Sequence, residues 1–197
     1  FINIIEKQFI KSKLIKNNIS VPCRTTNKIE INLRDEQLKY VYRNLQQTFL
    51  TISFPIGGIY DKNNNIYKII SNILGGNMSS RLFTKIREEL GLAYSISCSV
   101  SNYEEGGYFS IDTKTESNKT TSAFEAILKE LINIKTKKVS KKELINNKTN
   151  YVDIFTTILD DIENLSEYYA EQYLFNQKIE NIDSRIKNIE LINVQNI

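Results

Sequence analysis

Arginine, tyrosine and phenylalanine side chains in one short block are the groups here that could do chemistry. Within LGGNMSSRLFTKIREELGLAY, residues 74–94, Phe83 and Arg87 stand four apart and Tyr94 follows Arg87 by seven. Four apart is the spacing that puts two side chains on one face of a helix. A guanidinium and a phenol facing one concave surface, where helix meets strand, could hydrogen-bond the carbonyl oxygens of an extended peptide. The same spacing also fits plain structure, with Arg87 pairing with Glu88 at the surface and Tyr94 packed in the core on the face it shares with Ile96. Spacing alone leaves both open. Gly75-Gly76 ahead of a helix N-terminus, with Arg81 nearby, could hold an anion. There is no G-x-x-x-x-G-K-[ST], however, and a turn followed by a capped helix accounts for the glycines.

The missing residue types narrow the chemistry further. The chain of 197 residues contains no histidine, which removes the commonest general base and the commonest zinc ligand. A Ser-His-Asp or Cys-His centre therefore cannot form on it. Cys23 and Cys98 lie far apart with no C-x-x-C spacing, so neither a disulfide framework nor a metal knuckle is expected. That usage fits a reducing intracellular compartment. The acidic run Asp160-Asp161-Ile162-Glu163 reads as a solvated helix face, and no spaced Asp/Asn run resembles a calcium loop. Net charge is +3 with lysine far ahead of arginine, and isoleucine and asparagine are abundant. All three favoured residues have AT-rich codons, so the bias is assigned to genome composition. The densest basic stretch, Lys135 to Lys142, carries no aromatics and predicts a solvated loop and helix start, with no nucleic-acid partner. Apolar runs are too short for membrane insertion.

These side chains have to be positioned by a mixed fold. Hydrophobic content of 41% and charged content of 25% are those of a globular chain long enough to bury a core. Ile2, Ile5, Phe9 and Ile10 predict a helix over residues 1–17, and residues 18–45, with Pro22, a connector plus an extended segment around Ile29–Ile31. Residues 46–55, QQTFLTISFP, predict a buried strand, and residues 60–74 a helix with Ile66, Ile69, Ile70, Ile73 and Leu74 on one face. A further helix, capped by Ser79 and Ser80, carries Leu82, Phe83, Ile86 and Leu90 and stops at Gly91 in a left-handed cap. Leu92, Tyr94, Ile96, Cys98 and Val100 alternate with small residues as a strand, and the turn 103–107 returns as a second strand to Thr115. Residues 117–135 read as a helix. Ser140, with Glu143 three residues on, starts helical periodicity that runs to about Tyr173, and a short helix follows near residues 183–189. The order predicts an α+β fold with helices layered on one face of an antiparallel sheet, and residues 46–197 as its main unit.

The block also carries a resemblance. Leu74-Gly75-Gly76-Asn77-Met78-Ser79-Ser80-Arg81-Leu82-Phe83 followed by Arg87-Glu88-Glu89-Leu90-Gly91-Leu92-Ala93-Tyr94 resembles the second-domain signature of the pitrilysin/insulinase zinc peptidases, which include mitochondrial processing peptidases and the core subunits of respiratory complex III. Residues 1–17 resemble the last helix of the preceding catalytic-type domain, and Ser140-Lys141-Lys142-Glu143-Leu144 a late helix start. The chain begins Phe1-Ile2-Asn3 without an initiator methionine and reads as part of something longer.

The resemblance implies a division of labour. An earlier domain or a homologous subunit would hold zinc through an H-x-x-E-H motif. The present chain would close over an extended peptide as the non-catalytic half. Arg87 and Tyr94 match in type and spacing the pair that grips substrate backbone near the reacting carbonyl, Tyr94 as a transition-state stabiliser, with Phe83 either lining a side-chain pocket beside them or packed in the core. Some members of that family have lost the zinc motif and serve as scaffolds or partner subunits. The long Gly-rich loop of the processing peptidase's non-catalytic subunit is absent here. The resemblance leaves the compartment open, with a mitochondrial matrix as one fit. Lacking every histidine such a zinc site needs, the purified chain should carry no metal. Metal analysis checks this, and stoichiometric zinc surviving mild chelation would overturn it.

Overall fold

A computed structural model describes residues 38–176 and 179–197. The expected helix over 1–17, Cys23, and the connector with its Ile29–Ile31 segment lie outside the described residues as far as residue 37. Three strands form one antiparallel sheet: β1 (Gln47–Ile56), β2 (Ser95–Asn102) and β3 (Gly107–Glu116), in the order β1-β3-β2. β3 is thus paired on both sides, with Ile52 opposite Ile111 and Cys98 opposite Ile111 from the other flank. The period-2 alternation of β2 and β3 puts Ile96, Cys98, Phe109, Ile111, Thr113 and Thr115 on one buried face. Ser97, Ser99, Asp112 and Lys114 alternate with them on the other, which the helices leave open.

Helices cover the buried face. α1 (Asn64–Gly75), a π-helix (Phe83–Glu89), α2 (Thr120–Thr136, entered through a 3-10 turn), α3 (Lys141–Leu159), α4 (Ile162–Asn176) and α5 (Ile182–Glu190) follow in chain order. Leu74 of α1 joins Leu82, Ile86, Ile96, Cys98, Phe109, Ile111 and Ile127 in one core cluster. Ile69 and Ile73 of the same helix join Val139, Leu144, Ile189 and Ile192 in a second. α1 therefore belongs to both. It lies close on β2, because a Cβ added at Gly75 would stand 2.6 Å from the backbone nitrogen of Cys98. Its buried Asn72 donates to the backbone oxygen of Asn147 at 3.0 Å and to Asn150 Oδ1 at 3.2 Å, fastening α1 to α3. The fold is α+β with helices layered on one sheet face, as its pattern predicts.

Four local expectations are corrected. The 46–55 segment forms an edge strand, β1, with Phe49 and Phe54 exposed, because only one flank pairs and only one face is covered. The Ser79 and Ser80 side chains make no capping bond: Asn77 Oδ1 accepts from Ser79 N at 2.8 Å, and Ser80 Oγ is buried with no partner among the described residues. The helical run from Ser140 breaks into α3 and α4. Asp161, read as part of a solvated helix face, is at the break, and its carboxylate accepts from Glu163 N and Asn164 N at 2.9 and 3.1 Å. Local acceptance of this kind competes with helix continuation. Ser140 does cap α3, accepting from Glu143 N at 3.1 Å. The Glu143 carboxylate turns instead to Arg81, taking two bonds of 2.7 Å from Nε and Nη2.

That bidentate pair ties the entry of the π-helix to the start of α3. The Arg81 hydrogen bonds hold the Glu143 carboxyl below its usual value. A depressed carboxylate contributes stability that is complete above its unfolded value, about 4.3, and is lost as pH falls through the lower folded value. Glu143→Gln should therefore cost about 1 kcal/mol near neutral pH, the upper end for a partly exposed pair. The gap to wild type should close in acid below about pH 4. Urea unfolding over a pH series measures both.

Candidate functional site

Phe83, Arg87 and Tyr94 sit on the π-helix and the loop that follows it. Leu82 and Ile86 are fully buried, pinning this segment to the sheet. Between them the helix widens, and its closing bond runs from Leu90 N to Lys85 O at 3.1 Å, five residues back. A regular α-helix was expected here. Its apolar spacing is also satisfied by the wider turn, so periodicity did not separate the two. In a turn of this width residue i+4 comes nearly above residue i, and the Arg87 guanidinium lies 4.6 Å from the Phe83 ring centroid. Phe83 is half-buried and packs against the first core cluster, so the ring serves the core and carries the arginine at once.

Arg87 is also near Glu88, Nε to Oε1 at 3.7 Å, with 42% of its side chain exposed. That contact is long for a charge-assisted hydrogen bond and leaves most of the guanidinium donors free. The helix ends at Gly91, whose φ of 57° is the left-handed cap the sequence called for. Leu92 N reaches back to Ile86 O at 2.9 Å.

Tyr94 departs from the core alternative. Ala93, not Tyr94, takes the buried position before the strand, and Tyr94 is 72% exposed while Ile96 is buried. The alternation breaks because Leu92 O is held by Thr115 Oγ1 at 2.6 Å and Tyr94 N by Lys114 O at 2.7 Å, ahead of the regular ladder from Ser95. Among the described residues the Tyr94 hydroxyl has no hydrogen-bond partner, and no hydrogen bond or ring contact joins it to Arg87. The structure thus brings Phe83 and Arg87 together and leaves Tyr94 standing free seven residues on.

On the side of the sheet away from the helices, the open face forms a surface that sequence reasoning did not single out. Asp112 accepts from Thr51 Oγ1 at 2.7 Å and from Ser110 Oγ at 2.9 Å, and Ser99 and Ser110 share a bond of 2.9 Å. The signal was the row Ser95, Ser97, Ser99 and Ser101, which registers as alternation and says nothing of cross-strand hydroxyl pairing. Cys98 is buried beneath this face, its thiol pushed up to about 12 by burial, then by Asp112. A thiol held there is no nucleophile. Among the described residues no group of three or more His, Cys, Asp or Glu could hold a metal ion, and no helix is long and apolar enough to cross a membrane.

Comparison with known proteins shows what the chain as a whole is similar to. The family described as the peptidase M16 inactive domain matches residues 2–151. An uncharacterised zinc protease of Rickettsia felis is 32% identical over 165 residues, covering 80% of this chain and 40% of the relative. The uncharacterised zinc protease YmxG of Bacillus subtilis is 29% identical over 157 residues, covering 79% and 38%. The chain thus spans about two fifths of the length of these curated relatives. In fold it is similar to a peptidase M16 inactive domain from Pseudomonas fluorescens, with TM-score 0.69 at 17% identity over 76% of this chain and 36% of that one. A chain of complex III2 from Candida albicans gives TM-score 0.70 at 16% identity, covering 78% and 39%.

An exposed phenol with no partner contributes little to stability. Tyr94→Phe should shift the melting temperature by no more than about 2 °C. Calorimetry reads the shift directly, and a large loss would return Tyr94 to a structural role.

Proposed function

Since the chain belongs to the peptidase M16 inactive-domain family, we propose that it is the substrate-binding half of a zinc metalloendopeptidase, closing over extended peptide in a chamber formed with a zinc-bearing domain or subunit. Zinc lies outside this chain in that reading: the chain has no histidine, and its described residues hold no cluster that fits the metal. Residues 1–17 would end the preceding domain, 18–45 connect, and 46–197 form the closing half. The observation that carries the reading is the free Tyr94 hydroxyl, exposed where the π-helix gives way to the sheet. Arg87, propped on Phe83 and only loosely held by Glu88, offers the second donor group. Together they would hold main-chain carbonyl oxygens of a peptide whose other edge pairs with a strand of the catalytic partner. A donor aimed at a carbonyl that becomes an oxyanion is worth on the order of 3 kcal/mol in a site shielded from water.

A second reading makes the whole protein a peptidase-inactive scaffold or partner subunit, and the likeness in fold to a chain of complex III2 favours it. Turnover of unfolded peptides by the whole protein separates the two. In the intact, zinc-loaded protein Arg87→Ala and Tyr94→Phe should each lower turnover about tenfold to a thousandfold, with zinc content and melting temperature unchanged. Unchanged turnover per folded molecule would remove both residues from the substrate site.

A further inference from the structure

Away from the π-helix, four helices bring together a group of side chains that lacks one thing. Lys68 comes from α1, Tyr151 and Phe155 from α3, Tyr168 from α4 and Arg185 from α5. Tyr151 and Phe155 stack with centroids 6.4 Å apart, and Tyr168 meets Phe155 edge-on at 5.6 Å. The Arg185 guanidinium lies 5.3 Å from the Phe155 centroid and 5.7 Å from that of Tyr168. These rings shield the cation from water, and of their polar atoms the Tyr151 hydroxyl stands within hydrogen-bond reach of it. Arg185 Nε and the Tyr168 hydroxyl are both buried with no hydrogen-bond partner among the described residues. Neither Lys68 nor Arg185 forms an ion pair among the described residues.

The charges do not balance. Burial, and then repulsion by Arg185, bring the Lys68 amine down to about 8, with Glu171 of α4 acting the other way. Burial raises the Tyr151 hydroxyl while the nearby Arg185 draws it down. Lys68 thus feels a second cation, Arg185, as well as the carboxylate of Glu171, and Arg185 Nε is a donor left unmet among the described residues. A buried polar atom without a partner is costly, more so on a charged group, and points to something that completes it. Water could satisfy the donors but would leave the excess positive charge. We propose that Lys68 and Arg185, with the hydroxyls of Tyr151 and Tyr168, bind an oxyanion, a phosphate or carboxylate group, at the junction of α1, α3, α4 and α5. Arginine suits such a group because its fork matches paired oxygens, and lysine adds a point charge.

The test is a calorimetric titration of the whole protein with inorganic phosphate and, separately, with acetate, at ionic strength held constant with chloride. Saturable binding of one anion per chain is expected, and Lys68→Met and Arg185→Met should each weaken it about tenfold or more. Saturation by acetate as well as phosphate identifies a carboxylate-type site, and saturation by phosphate alone a phosphate site. Lys68→Arg keeps the charge and should keep the binding, which preserves the test if the methionine variants fold poorly. Failure of both anions to saturate the wild-type protein overturns the proposal, and so does binding that survives the double variant.

Discussion

The close approach of α1 to β2 is the contact on which the rest of the structure depends. Gly75 lets the helix backbone come against Cys98, where any side chain would meet main-chain atoms. Only from that depth can α1 send Leu74 into the cluster under the sheet while Ile69 and Ile73 face the helices beyond. Interiors are close-packed and transmit displacement. A helix lifted off the sheet here would open one cluster and shift the other, so sheet and helical layer share one foundation.

The candidate site uses that foundation differently on its two sides. Leu82 and Ile86 are held at zero exposure, so the π-helix cannot rotate freely. The fixed backbone lets Arg87 rest on Phe83 without a strong ionic anchor. Tyr94 gets its position from the sheet instead, through the bond from its backbone nitrogen to Lys114 O. A rigid backbone with loosely engaged polar ends suits groups whose partners arrive from elsewhere.

Much of this was readable from residue order. The alternation in β2 and β3, the glycine stop at Gly91 and the capping serine at Ser140 each name a local physical preference, and each is met. What escaped depended on distant partners. Tyr94 shares parity with Ile96 along the chain, yet Thr115 and Lys114 from the neighbouring strand shift the phase before β2 begins. The break at Asp160 and Asp161 lies within an unbroken apolar rhythm, and only side-chain acceptance by Asp161 ends it. Phe83 and Arg87 were legible as neighbours, because four residues apart is close in both kinds of helix. The hydroxyl network around Asp112 was not, since it joins three strands.

The widened turn between Phe83 and Glu89 amounts to a single extra residue accommodated inside a helix. An α-helix advances about 100° per residue. With Ile86 fixed in the core, shortening the loop of chain beyond it by one residue would swing the following side chains by about that angle. The bulge therefore acts as a spacer that sets the angular phase of the segment leading to Gly91. A relative that lacked or gained one residue there would present a different side chain at the position Arg87 now holds, on an otherwise unchanged core.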